Sequence, residues 1–127
     1  MNNNSVSTAI RRIRWFPTES AATRQYCLSV LLTKDGESGI RGNAPYQFTE
    51  KEKATHRYFT PETCQAYSRL HDISGVALSL TMQYEIHITI ARAFNWDEVH
   101  FQVIDVLKEV YFPGYAVEIV VGEGDSH

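Results

Sequence analysis

No stretch of this chain holds the roughly 18 consecutive apolar residues that a membrane-spanning helix needs. The opening Met1-Asn-Asn-Asn-Ser-Val-Ser-Thr8 lacks the charged-then-apolar order of a signal peptide. Those two absences predict a cytoplasmic protein with no membrane partner. Positive charge is not in excess either: 12 Lys and Arg face 15 Asp and Glu, for a net charge of −3. That argues against a generally basic nucleic-acid binder while leaving room for a local basic patch. Glycine (7) and proline (4) are too scarce for a fibrous or low-complexity chain. Cysteine is limited to Cys27 and Cys64, widely separated in otherwise regular segments. Two free thiols are expected, with one structural disulfide as the alternative.

What is present is a globular profile: 127 residues, 43% hydrophobic and 21% charged. One domain of this size buries roughly two-thirds of its unfolded surface, enough for a core without staples. The expected organisation is a disordered segment over 1–8, a single α+β domain over 9–121, and a flexible tail over 122–127.

The clearest pattern lies between Ser79 and Val121. Val76, Leu78 and Leu80 alternate with Ala77, Ser79 and Thr81; after a reversal near Met82-Gln83, Ile86, Ile88 and Ile90 alternate with Glu85, His87 and Thr89. Two such strands this close together predict an antiparallel hairpin. At Asn95 the period becomes helical. Asn95 and Glu98 have capping-box spacing, and Trp96, Val99, Val103, Val106, Leu107 and Val110 form one apolar stripe. Pro113-Gly114 ends that helix, and Val117, Ile119 and Val121 make a last strand.

Upstream, Arg24–Thr33 is continuously apolar enough for a central strand. Gly36, Gly39 and Gly42 recur every third residue, yet Asn43-Ala-Pro45 follows them where a phosphate-cradling loop needs a helix start. A surface loop or hairpin is expected there. Thr49-Glu-Lys-Glu52 has capping spacing for a short helix ending near His56. Thr60-Pro61 opens a longer one whose inner side carries Thr63, Cys64, Ala66, Tyr67, Leu70 and His71, with Gly75 as its stop. The order strand, helix, strand, strand, helix, strand is the ferredoxin-like or split βαβ pattern. It predicts one antiparallel sheet with both helices on one face. The N-terminal Arg/Trp segment is an extra, and the 26 residues from Lys34 to Phe59 have room for another strand.

With the helices over the isoleucines, the opposite sheet face should carry Ser29, Ala77, Ser79, Thr81, Glu85, His87, Thr89 and Glu118. That face is small, polar and partly acidic, which suits solvent or a dimer contact better than base stacking. His87-Ile-Thr89 places an imidazole and a hydroxyl on one side of a strand, where both can meet one phosphate. The string resembles half of the paired His-x-Thr pattern of the 2H phosphoesterases, which implies phosphodiester chemistry. That family carries a second such motif; here His56-Arg-Tyr58 and His71-Asp-Ile73 do not supply it, and the likeness covers about six residues.

The histidines and cysteines lack the close-spaced pairs of a zinc site, so neither a metal nor a cofactor is expected. His100 falls at the edge of the last helix's apolar stripe, in a structural hydrogen-bonded role. Ala9–Phe16, closed by Pro17, reads as an edge strand or one helical turn. Arg11, Arg12 and Arg14 beside Trp15 are residue types that grip phosphate and stack a base. The competing reading is a charged edge that discourages sheet-to-sheet association.

Tyr46, Phe48, Tyr58 and Phe59 crowd a segment read as loop and short helix. Phe101 and Phe112 project with Lys108 from the side of the last helix away from its stripe. Aromatics outside a predicted core either pack under a loop or anchor a partner. The leading expectation is therefore a small non-catalytic binding or regulatory protein, an inhibitor or adaptor, acting through contacts with another protein or itself. Its binding residues would be Phe101, Lys108 and Phe112. The alternative is a nucleic-acid binder or phosphodiesterase-like enzyme using Arg11, Arg12, Arg14, Trp15, His87 and Thr89.

Overall fold

A computed structural model describes residues 11–47 and 49–122. Its elements run β1 (Arg11–Pro17), β2 (Thr23–Leu28), β3 (Ile40–Asn43), α1 (Glu50–Thr55), a 3-10 turn (His56–Tyr58), α2 (Pro61–Leu70), β4 (Val76–Thr81), β5 (Glu85–Ile90), α3 (Trp96–Tyr111) and β6 (Val117–Val121). The six strands form one sheet in the order β3-β4-β5-β2-β1-β6. Four ladders are antiparallel and the β1–β6 ladder is parallel, so the sheet is mixed. The α+β class is as the sequence predicts; an all-antiparallel sheet is not. The pattern also has two strands beyond the expected four, β1 and β3.

The largest correction concerns the N-terminal segment. It is neither an edge nor a helical turn but an inner strand between β2 and β6. Ile13 explains the position: it is fully buried and joins the core, while its neighbours Arg12 and Arg14 point the other way. Gly122, expected in the tail, still extends this ladder by donating its N–H to the Trp15 carbonyl at 2.7 Å. The expected disordered segment 1–8 and the remainder of the tail lie outside the described residues.

The helices form where their caps are written. Thr60 Oγ1 accepts the Thr63 N–H with Pro61 in the first turn of α2. Asn95 and Glu98 cap α3 reciprocally, at 3.3 and 2.9 Å. Gly75 takes a φ of +103° just past α2, a conformation that side chains resist. The apolar stripe of α3 is buried as expected and packs with Ile13, Tyr26, Ile86, Ile88 and Ile90 of the sheet. Each such side chain contributes roughly 1.5–3 kcal/mol by leaving water. Within that core His100 Nδ1 meets the Tyr26 phenol at 2.9 Å, and burial foremost, then the Arg24 charge, lowers its pKa. Cys27 and Cys64 are free thiols. Among the described residues no helix is long and apolar enough to cross a membrane.

Strand β4 reverses the expected facing. A register shift between Val76 and Leu78 inserts Ala77 as a bulge, and every side chain after it changes sides. Ser79 and Thr81, read as open-face residues, are 2% exposed beneath the helices, paired with Ile88 and Ile86. Leu78 and Leu80, read as core, join His87 and Thr89 on the other face.

Candidate functional site

The residues proposed for phosphate chemistry do not converge as one grip. Alternation along β1 sends Arg12, Arg14 and Phe16 to the open sheet face and Arg11, Ile13 and Trp15 to the helix face. Trp15 is also engaged: the Arg24 guanidinium lies 4.0 Å above its ring and the His100 ring 4.9 Å away. It is therefore not placed to stack a base beside Arg12 and Arg14. Arg12 is paired with Glu118 at 2.9 Å, and Arg11 lies 4.2 Å over the Tyr115 ring.

His87 and Thr89 share the open face, as their spacing requires. His87 Nε2 meets Glu85 Oε2 at 2.7 Å, and the Thr89 hydroxyl meets that of Thr23 at 2.8 Å. Glu85 also accepts from Gln25 Nε2 at 3.1 Å, and burial chiefly raises the neighbouring Cys27 thiol pKa. The polar tips of this motif are thus tied into the sheet. Among the described residues, no three His, Cys, Asp or Glu side chains form a group able to hold a metal ion.

A second surface is built differently. Strand β6 is an edge, paired only with β1 among the described residues. Its Val117, Ile119 and Val121 lie on the helix side, in register with Arg11, Ile13 and Trp15. Val117 packs against the core, but Ile119 is 38% exposed and Val121 62%. Two more exposed apolar side chains flank them, Tyr115 at 54% and Phe101 at 70%. These four are half of the eight large apolar side chains left exposed among the described residues, so the apolar surface is concentrated at one corner. Ring contacts connect it: Phe101 meets His100 edge-on at 5.1 Å, His100 meets Trp15, and Trp15 is the strand neighbour of Val121. At its far end Lys108, Phe112 and Tyr115 line a shallow cleft of about 310 Å³.

Of the predicted binding residues, Phe101 and Lys108 border this groove. Phe112 does not project from it: it is 3% exposed and belongs to the core. As the residue closing α3 it has left helical geometry, with φ −133° and ψ 47°, so helical spacing misplaces its side chain. Sequence spacing alone does not mark Tyr115, Ile119 and Val121 as binding residues. Their alternation is that of a core strand, and only their exposure in the folded protein sets them apart.

No protein-family model matches this chain, and no curated protein matches it in sequence. Among solved structures it is similar in fold to a NifU-like protein from Saccharomyces cerevisiae, with a TM-score of 0.55 and 14% identity over 86% of this chain and 82% of that one. It is also similar to protein SAV1430 from Staphylococcus aureus, with a TM-score of 0.55 and 14% identity over 76% of this chain and 98% of that one. At that identity the likeness concerns the fold alone.

Proposed function

We propose that this is a small non-catalytic binding protein of the cytoplasm, an inhibitor or adaptor, that docks another polypeptide along the β6 edge and the adjoining α3 groove. The observation that supports it is the coincidence of a strand edge unpaired among the described residues with half of their exposed large apolar side chains. An edge strand offers main-chain N–H and C=O groups to an incoming strand, and the side chains beside it give selectivity. Phe101, Tyr115, Ile119 and Val121 are the anchors of the site, and Lys108 supplies charge at its rim. The docked strand comes from a partner protein or from a second copy, whose β6 would extend the sheet across a two-fold axis. We read the fold beneath as a ferredoxin-like core: without β1 and β3 the order is β4-β5-β2-β6, that of a split βαβ unit.

The test is to replace Ile119 and Val121 by Lys together and measure assembly. Partner binding or self-association should be lost while thermal unfolding is nearly unchanged; undiminished assembly would sink this reading. The open sheet face supports a second reading, because Arg12, Arg14, His87 and Thr89 share it. It predicts nucleic-acid binding that weakens steeply with salt and phosphodiesterase activity that disappears in His87→Ala. Absence of binding at low salt would remove it.

A further inference from the structure

The main chain of β6 says which strand its edge accepts. Gly122 turns its N–H inward to the Trp15 carbonyl at 2.7 Å. Main-chain direction alternates from residue to residue along a strand, so Val117, Ile119 and Val121 turn both N–H and C=O outward, away from β1. Their side chains all lie on the helix side, in register with Arg11, Ile13 and Trp15.

This pattern is complementary to itself. A two-fold axis through the sheet at Ile119 sets Ile119 opposite its counterpart and Val117 opposite Val121 of a second copy, and the reverse. Each of these pairs exchanges two main-chain hydrogen bonds. Centring the axis on Glu118 would instead set two carboxylates directly opposite each other, which is unfavourable. Centring it on Val120 would leave only Ile119–Val121 pairs within the strand.

The side chains agree with the axis at Ile119. Such an axis keeps the helices of both copies on one side of a continuous sheet. Phe101 stands at the Val121 end of the edge, by way of His100 and Trp15, and Tyr115 precedes the Val117 end. The axis therefore brings Phe101 of one copy to the end of the seam where Tyr115 of the other lies, twice over. On the open face, Glu118 comes opposite Val120 of the second copy, whose ladder neighbour is Arg14. Arg14 is exposed and takes part in no ion pair among the described residues. Its Cα would stand about 9 Å from that of Glu118, within the joint reach of the two side chains. Glu118 already holds Arg12 at 2.9 Å. Each carboxylate would thus sit between two guanidinium groups, one from each copy.

We propose that the polypeptide docked at β6 is a second copy of this chain, paired antiparallel about Ile119 into one continuous sheet. This rests on the reading of β6 as a docking edge and names its occupant.

The test is sedimentation equilibrium of the purified protein, beside mild oxidation of Glu118→Cys, Ile119→Cys and Val120→Cys. Expected are a dimer that the Ile119→Lys, Val121→Lys double variant dissociates, and a disulfide-linked dimer from Ile119→Cys alone. Hydrogen-bonded pairs stand about 5.5 Å apart at Cα, within disulfide range, whereas residues 118 and 120 would lie about 8 Å from their own counterparts. The wild type controls for Cys27 and Cys64, which lie on β2 and α2. Arg14→Glu, on the face away from the groove, should weaken the dimer roughly threefold or more at low salt and less at high salt. A protein that stays monomeric at every concentration would overturn the second copy while leaving β6 to a different polypeptide. A dimer indifferent to the double Lys variant would overturn the docking edge itself. Cross-linking through position 118 or 120 instead, or an undiminished dimer in Arg14→Glu, would overturn pairing about Ile119.

Discussion

The two edges of this sheet are managed in opposite ways. β3 is four residues long, carries Arg41, Gly42 and Asn43, and leads into a cis Ala44–Pro45 bond. Its inner face is occupied by Tyr67 and His71, which pack against the one position without a side chain. β6 is Val-Glu-Ile-Val-Val, with neither proline nor lysine to discourage pairing and three of its residues exposed. Short, charged edges discourage unwanted strand addition, and an edge with exposed apolar side chains invites it. The difference teaches where tolerance lies. Stability should be sensitive at the β3 edge and insensitive at the β6 edge, whereas association should show the reverse.

Acid should strike the β3 side hardest. Burial foremost lowers the His71 pKa from 6.5 to about 4, with the Glu52 charge opposing. An unfolded chain therefore takes up this proton before the folded one does. Stability should be unaffected by His71 above pH 6.5 and should fall as pH drops from there towards 4, by roughly 3 kcal/mol in full. Urea unfolding of the wild type against His71→Gln at pH 7 and pH 4.5 measures it. Equal acid sensitivity of the two proteins would break the contrast.

Gly42→Ala should come next. Its Cβ would enter the space of Tyr67 and His71, which must shift to admit it, and overpacking of this kind costs about 1–3 kcal/mol. A melting temperature within experimental error of the wild type would contradict the packing described. On the other edge, Ile119→Lys and Val121→Lys replace side chains that are 38% and 62% exposed and should change stability by less than about 1 kcal/mol. A large loss there would make β6 a structural strand rather than a docking edge. Smallest of all should be Arg12→Ala. Its pair with Glu118 is half exposed on both sides, and such surface pairs contribute about 0–1 kcal/mol, less at high salt.

The contrast between edges was itself only partly legible in the sequence. Helices α2 and α3 and the β4–β5 hairpin were readable because their signals are local: a Thr-Pro start, an Asn-Glu cap, and alternation across a tight turn. The place of β1 was not, because its parallel partner lies about a hundred residues away and only the burial of Ile13 distinguishes an inner strand from an edge. β4 misled for another reason. Val76, Leu78 and Leu80 have the alternation of a core face, and a single bulged residue inverts them. At the docking edge, Phe101 and Lys108 could be found from helical spacing, but Ile119 and Val121 look like any core strand until the sheet order is known. On the β3 side, Glu52, Gly42 and the Tyr67–His71 pair come from three elements, and only that pair shares a helical spacing.

The measurement that bears most directly on the docking edge is native mass spectrometry of the protein isolated under gentle conditions, beside the Ile119→Lys, Val121→Lys double variant prepared identically. The wild type should carry the added mass of one further polypeptide, a partner or a second copy, and the variant should fly as a bare monomer with an unchanged charge-state envelope. A wild type without added mass, or a variant that keeps the same companion, would contradict the assignment of β6 as the docking edge.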